Sequence, residues 1–435
     1  MKKNTAFLLA AAAICIAGVS SAAYTMLMDG TLLKPAAEQT NFTEEINIDE
    51  PIISENSPTP EVPEAGLGTG PEIIPAEAAG ENLGQGPENP ISEIGPPDEP
   101  IAQKNPYEDA VLVPYGGYVD HIFFHPLIAY NDRAFNGDAS SKGMDDYMAT
   151  ALECKRLLEQ AYNNGFVLVD INKVYDFVTD ENGVTSMARV SFDFPEGKKP
   201  MVISMDDVNY YPYMIEDGCN NKLVLDEQGE IANYSEDLSG NPVISYDTEV
   251  ITIVERFLEE HPDFSFDGAR GVIGLTGYEG ILGYRTQEGS PTREIEVEAV
   301  KPVIEELKSL GWTFASHSYG HPHMSQITLE YFKEDTDDWK REVEPLVGPT
   351  RVFLYPYGDF IKHEDAGMEK INYLIDVGGF NIHCGVSVYP YSKSYERYAY
   401  EDRKNIDGLT LRNQHEKVKH MFDTEYVIDR EARGW

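Results

Sequence analysis

This chain of 435 residues is predicted to adopt an α/β fold with a largely parallel sheet. Two observations predict it. Short apolar segments with the composition of buried strands alternate with longer segments that suit helices. Acidic and imidazole side chains directly follow several of the apolar segments, and in parallel α/β folds the chemistry gathers where the strands end. An apolar content of 41% is ample for a core.

The predicted strands are short. The first is a buried strand and its exit over 119–130, and the others are Phe166–Val169, Met201–Ser204, Gly271–Leu275, Thr313–Ser316, Val352–Tyr355 and Asn381–Val388. The segment Asp145–Asn163 has the apolar spacing of a helix. Further helices are predicted at Thr248–Glu260, Glu294–Leu310, Leu329–Val347 and Glu364–Ile375. The polar, turn-rich segment 223–246 is predicted to be an irregular excursion.

The N-terminus has the layout of a secretory signal over residues 1–23. Lys2 and Lys3 precede an apolar stretch from Ala6 to Val19, and small residues follow it. An uncleaved anchor is the alternative, because the stretch extended to Ala23 approaches the ~20 residues that span a bilayer. The anchor would tether the chain to a membrane through residues 5–23. Both interpretations predict an extracellular or cell-surface protein.

Residues 24–105 are predicted to be a disordered acidic linker. They are rich in Pro, Glu, Gly and Asn and almost lack aromatic residues, so they cannot build a packed core. The composition changes near Pro106, and residues 106–435 are predicted to form the folded, catalytic domain.

The charge limits the classes of partner. A formal net charge of −41 and a pI near 4.4 argue against nucleic acid, whose phosphates would be repelled. Neutral or cationic partners are favoured, although acidity that only keeps a secreted protein soluble explains the charge equally well. The cysteines beyond the signal segment, Cys154, Cys219 and Cys384, are too few for a disulfide scaffold, and we expect buried free thiols.

Two segments indicate a metal-dependent hydrolase. Asp206 and Asp207 end one apolar run, and His317 and His321 follow another. One carboxylate and two imidazoles make a three-ligand set for a Zn²⁺-like ion with a position left for water. The second carboxylate would then lie where a general base is needed. The alternatives are ordinary: paired aspartates are common in solvated turns, and the histidines, with His323 nearby, could bind metal adventitiously.

The motifs SMDDV at 204–208, SHSYGH at 316–321 and LYPYG at 354–358 together resemble those of the polysaccharide deacetylase family, the NodB-homology domain or carbohydrate esterase family 4. The resemblance implies a distorted (β/α) barrel. It matches Asp207, His317 and His321 to the metal ligands and Asp206 to the catalytic base. It also matches the backbone N–H of Tyr357 to a donor that stabilises the oxyanion.

The sequence departs from the family pattern in three places. Val208 stands where the first motif has glycine, and Leu354 stands where the third motif has the arginine that braces the catalytic aspartate. Arg403 is the candidate replacement for that arginine. The late histidine motif that supplies the general acid is missing.

Two histidines are candidates for the missing acid. The first and last strands of a closed barrel are neighbours, so His125 after the first strand could reach the site. His383 is the rival, although its apolar neighbours suit a core histidine. Three tyrosines after the aspartate pair, Tyr210, Tyr211 and Tyr213, are equally compatible with stacking on sugar rings and with covering the barrel edge.

The sequence therefore predicts a metal-dependent hydrolase that removes acetyl groups, N-acetyl first, from a cell-surface or extracellular polysaccharide. A non-catalytic carbohydrate-binding protein and an O-acetyl esterase acting on xylan-like polymers are the alternatives. Zn²⁺ is the expected metal, and His and carboxylate ligands also accept Co²⁺ and Ni²⁺. The sequence selects neither the glycan nor an oligomeric state.

Overall fold

Residues 105–434 are described by a computed structural model. The predicted signal segment 1–23 and the predicted linker up to residue 104 lie outside the described residues. Within 105–434, no helix combines the length and the apolar character needed to cross a bilayer.

Seven parallel strands close into a barrel, which confirms the predicted fold class. In chain order they are β1 (Asp120–Phe124), β2 (Lys199–Met205), β3 (Val272–Leu275), β4 (Thr313–Ser316), β5 (Val352–Leu354), β6 (Ile382–Val386) and β7 (Ala399–Asn405). Each strand pairs with the next one in chain order, and β7 pairs with β1 to close the ring.

The barrel is distorted at β2. The strand Phe166–Leu168 pairs with the first half of β2, whereas β3 pairs with its second half through Val272 and Ile273. Two partners thus share one edge of β2. The predicted strand Phe166–Val169 exists but lies outside the ring.

Side chains alternate between two cores, as the two-residue period of a strand requires. Inward-facing residues fill the barrel, namely Val202, Val272, Ala315, Val352, Leu354, Ile382, Cys384 and Ala399. Their neighbours along the strands, including Ile203, Ile273 and Phe353, pack outward against the helices. Cys154, Cys219 and Cys384 are free and buried, as predicted.

Within residues 105–434, five longer helices surround the barrel: α1 (Ala151–Asn163), α2 (Val250–Glu260), α3 (Arg293–Leu310), α4 (Leu329–Glu342) and α5 (Asp365–Tyr373). The shorter α-helices are Asn131–Ala134, Ser141–Tyr147, Ile171–Val174, Pro212–Glu216, Glu344–Val347, Gly408–Asn413, His415–Val418, Thr424–Val427 and Arg430–Arg433. Single turns of other helix types are Pro262–Phe264, Pro356–Gly358 and Leu374–Gly378.

Outside the barrel ring, further strands pair in antiparallel fashion. Leu112–Tyr115 pairs with Phe192–Pro195, Tyr175–Thr179 pairs with Thr185–Arg189, and Ser392–Ser394 pairs with β7.

Three predicted helices are shorter than expected. The segment Asp145–Asn163 is divided because Thr150 caps α1: its hydroxyl accepts from the Glu153 N–H, and the Glu153 carboxylate accepts from the Thr150 N–H. The helix predicted to run to residue 347 ends at Glu342, and a separate turn begins at Glu344. The helix predicted to run to residue 375 continues from Tyr373 as a π-turn.

The prediction of an irregular segment at 223–246 is wrong. The strands Lys222–Leu225, Ile231–Glu236 and Pro242–Ser245 form an antiparallel meander. Its two turns are closed by the carboxylates of Asp226 and Asp237, which accept backbone N–H bonds, and by glycines with positive φ. Turn residues make up much of the segment 223–246, so its composition did not indicate the short strands between the turns.

The sequence prediction also missed β7. The segment carries four consecutive charged residues, Glu401 to Lys404, which is typical of solvent-exposed chain. In the structure, however, Arg403 and Lys404 are buried. Because β7 separates β6 from β1, the strand that carries His383 is not the last of the barrel, contrary to the premise that made His383 a candidate acid.

Candidate metal centre and active site

The predicted site residues meet at the carboxyl ends of the barrel strands. Asp206 and Asp207 follow β2, His317 follows β4 and His125 follows β1. Together with His321 and Tyr357 they line one open cleft. The strand-end placement predicted from the sequence is therefore observed.

Asp207, His317 and His321 lie close enough to share one ion. The Nε2 atoms of the two histidines lie 4.0 and 3.7 Å from Asp207 Oδ1, respectively. The three potential ligand atoms all lie within 4.8 Å of one another. All three side chains are largely buried, and the His321 side chain is the most exposed at 12%.

The protonation states suit a metal ligand set. The Leu354 carbonyl accepts a bond of 2.8 Å from His317 Nδ1, which places the proton on Nδ1 and leaves the Nε2 lone pair directed at Asp207. Burial lowers the pKa of His317, and burial lowers that of His321 to about 3. Both imidazoles are neutral at neutral pH, as metal binding requires.

The backbone is strained at the same place. Non-glycine residues with positive φ are uncommon and cluster at functional sites. Of the seven such residues within 105–434, four belong to this site: Asp207 at 59°, Ser318 at 59°, His321 at 55° and Tyr357 at 59°. Val208 is not among these seven residues, so its backbone does not require a glycine, and its side chain is buried in the core outside the barrel.

Arg403 braces Asp206 from β7. Its guanidinium donates from Nη1 to Asp206 Oδ1 at 2.6 Å and from Nη2 to Oδ2 at 3.0 Å. Burial alone would raise the pKa of the Asp206 carboxyl, but the charge and hydrogen bonds of Arg403, together with the nearby His317 and His125, outweigh burial and hold that pKa well below its usual range. Asp206 is therefore ionised at neutral pH.

The two candidate acids lie in different surroundings. His125 lines the cleft, and its buried Nδ1 has no hydrogen-bond partner within the described residues. His383 is fully buried in the outer core, where its ring nitrogens contact the Tyr355 hydroxyl at 3.1 Å and the Phe380 carbonyl at 3.3 Å. The structure thus places His383 as a core histidine, away from the cleft, and His125 stays the predicted acid.

The aromatic residues take separate roles. Tyr210 is fully buried in the outer core, so it cannot stack on a ligand. The Tyr211 hydroxyl contacts Asp207 Oδ1 at 3.0 Å and Thr276 Oγ1 at 2.6 Å, and this support of a candidate ligand was not foreseen from the sequence. The Tyr211 ring stacks between those of Tyr213 and Tyr278, and all three line the cleft. The Tyr357 ring lies between those of His321 and His323.

A barrel that gathers a carboxylate and two neutral imidazoles beside an arginine-braced aspartate has the donor set of a metal-dependent hydrolase. A comparison with known protein families agrees with this interpretation over part of the chain. Residues 289–374 match the family model described as polysaccharide deacetylase. That segment carries His317, His321 and Tyr357, and the match confirms there the resemblance predicted from the motifs.

Solved structures that are described as deacetylases align with this chain at low sequence identity. The deacetylase PplD of Streptococcus pyogenes, solved in complex with acetate, is 12% identical, with 68% of this chain and 94% of that chain covered and a TM-score of 0.36. A Bacillus anthracis protein described as a polysaccharide deacetylase is 13% identical, with 72% and 68% covered and a TM-score of 0.39. The deacetylase domain of BpsB from Bordetella bronchiseptica is 13% identical, with 68% and 98% covered and a TM-score of 0.34. No curated protein sequence matches this chain.

Proposed function

We propose that this chain is a metal-dependent deacetylase that hydrolyses N-acetyl groups of a cell-surface or extracellular polysaccharide. The observation that carries the proposal is the convergence of Asp207, His317 and His321 beside the ionised Asp206. The family match over 289–374 supports the deacetylation of a polysaccharide.

Asp207, His317 and His321 would hold the ion, for which Zn²⁺ fits the donor set best and Co²⁺ or Ni²⁺ are alternatives. A bound divalent ion lowers the pKa of water towards ~7 and polarises a carbonyl. The fit rests on two neutral imidazoles that face the Asp207 carboxylate, and on the positive φ of Asp207 and His321.

The chain's own groups supply the proton transfers. The Asp206 carboxylate accepts the proton of the attacking water, and Arg403 holds both carboxylate oxygens in place. The N–H of Tyr357 would stabilise the oxyanion. His125 would protonate the leaving amine, because its side chain lines the same cleft as Asp206 and Asp207. Arg403 and His125 supply groups that the sequence motifs lacked, which favours an active enzyme over a non-catalytic sugar-binding protein.

The test is acetate release from chitooligosaccharides and from acetylated xylan by the full chain. We expect release from the first substrate, its loss with a chelator, and its return with added Zn²⁺, Co²⁺ or Ni²⁺. Asp206→Asn should abolish turnover and retain glycan binding, whereas Asp376→Asn, on the exposed surface, should match the wild type. Glycan binding without acetate release would favour the non-catalytic alternative, and preference for xylan would favour the O-acetyl esterase.

We propose an extracellular or cell-surface location from the N-terminal segment alone. A C-terminally tagged chain expressed in a bacterial host should appear in the medium if residues 1–23 are a cleaved signal. It should appear in the membrane fraction if residues 5–23 are an anchor. Recovery in the cytoplasm would contradict both.

A further inference from the structure

A second group of polar side chains is buried inside the barrel, on the far side of Arg403 from the cleft. It comprises Tyr175, Glu401, His121 and Ser204, each at most 7% exposed. We call these four residues the interior relay. Burial of polar groups is costly unless each is hydrogen-bonded, so a group this large needs an account.

The relay is continuous. The Tyr175 hydroxyl lies 2.5 Å from Glu401 Oε2, and Glu401 Oε1 lies 2.6 Å from His121 Nδ1. His121 Nε2 lies 2.8 Å from Ser204 Oγ, which in turn lies 3.1 Å from Arg403 Nη1. The same Nη1 contacts Asp206, so an unbroken path runs from Tyr175 to the predicted catalytic base.

The proton positions along the path follow from chemistry. Burial lowers the pKa of His121, and hydrogen bonds from His121 and Tyr175 lower that of Glu401 against the effect of burial. An ionised Glu401 only accepts, so Tyr175 and His121 Nδ1 both donate to it. The neutral ring then accepts at Nε2 from the Ser204 hydroxyl, and Ser204 Oγ accepts from Arg403. The hydrogen bonds therefore all point towards Glu401: from Arg403 through Ser204 and His121 on one side, and from Tyr175 on the other.

The relay is not a second metal site. His121, Cys384 and Glu401 have ligand atoms close enough for one. However, both ring nitrogens of His121 and both oxygens of Glu401 already have hydrogen-bond partners. The Cys384 thiol likewise donates to Glu401 Oε1, at 3.7 Å.

We propose that the interior relay orients Arg403 and, through it, the Asp206 carboxylate, so that Ser204, His121, Glu401 and Tyr175 are positioning residues for the hydrolysis. This inference rests on the proposed role of Asp206. The physical reason is that an arginine side chain has several rotatable bonds, and each hydrogen bond to a fixed partner limits the rotamers that it can adopt. The bond to Ser204, which His121 fixes in direction, selects one of them and adds to the Nε bond with the Gly385 carbonyl.

The experiment compares Ser204→Ala with Ser204→Thr, which keeps the hydroxyl, and with Ser316→Ala. Ser316 is a matched control because it is also buried at the end of a barrel strand, but its Oγ has no partner within the described residues. Misplacement of a catalytic group costs rate more than substrate binding, so Ser204→Ala should lower kcat about tenfold and change KM less than about twofold. Ser204→Thr should restore most of kcat, and Ser316→Ala should match the wild type.

A readout without turnover separates this inference from the proposed function. In full-length protein labelled with ¹⁵N-arginine, the Arg403 Nη protons, assigned by their loss in Arg403→Lys, should exchange slowly in the wild type and in Ser316→Ala. They should exchange faster in Ser204→Ala. Equal kcat or equal exchange in Ser204→Ala and wild type would overturn the relay. A wild type that releases no acetate but shows the exchange difference would refute the proposed function and leave the orientation of Arg403 by Ser204 supported.

Discussion

Replacing Arg403 by glutamine tests how much the ion pair between Arg403 and Asp206 contributes to the free energy of unfolding. The Arg403 side chain is 0% exposed and that of Asp206 is 4% exposed. A neutral glutamine side chain could not compensate the charge of Asp206, so a carboxylate would remain buried without its cation. Breaking a buried pair in this way costs about 3–5 kcal/mol. The exposed pair of Arg397 and Asp376, with side chains 44% and 57% exposed, provides the control, and Arg397→Gln should cost less than about 1 kcal/mol.

The assay is urea unfolding at pH 7, followed by circular dichroism, at equal metal content. The double variant with Asp206→Asn removes both charges, so its cost should be smaller than the sum of the single costs by about 2 kcal/mol. The reasoning is refuted if Arg403→Gln is as mild as Arg397→Gln, or if the two changes at the buried pair are additive.

Three further predictions concern the metal ligands, a buried acid and a helix cap. His321→Ala removes one of three ligand candidates and should weaken Zn²⁺ binding by about 100-fold or more in a chromophoric chelator competition, whereas His415→Ala should not change it. Burial raises the pKa of Glu249 from 4.5 to about 8, so its contribution to stability is full below pH 4.5 and is lost as the pH rises through 8. Glu249→Gln should therefore gain up to about 5 kcal/mol relative to the wild type between pH 4 and 9 in urea unfolding, and a constant difference would contradict this. Thr150→Ala removes the α1 cap and should cost about 1 kcal/mol, with Thr150→Ser near neutral.

Much of the site was predictable because its residues are local in sequence. Asp206 and Asp207 directly follow a run whose apolar character identifies β2, and His317 and His321 share one short loop after β4. Strand ends in a parallel fold share one edge, so four site residues could be brought together from the sequence alone. The Tyr211 contact with Asp207 could not be predicted, because a tyrosine near such a site suits packing as well as hydrogen bonding.

The two errors in the predicted strands have one physical origin. The composition of a segment indicates how exposed its residues are on average, but it does not identify the partner of an individual side chain. The charged segment 399–405 is typical of solvated chain, yet it forms β7 because its buried charges meet partners from other parts of the barrel: Arg403 meets Asp206, and Lys404 meets Asp120 at 2.7 Å. The same limit concealed the meander at 222–245, in which the turns outweigh the short strands.

By itself, the sequence determined the α/β class, the strand-end motifs and the chemical type of the candidate ligands, because these depend on residue type and short spacing. Only the tertiary structure decided that β7 separates β6 from β1, that His125 and not His383 reaches the cleft, and that Arg403 braces Asp206. Those outcomes depend on the order in which strands close the barrel, and closure brings together residues that are almost 200 positions apart, as the 197-residue separation of Asp206 and Arg403 shows.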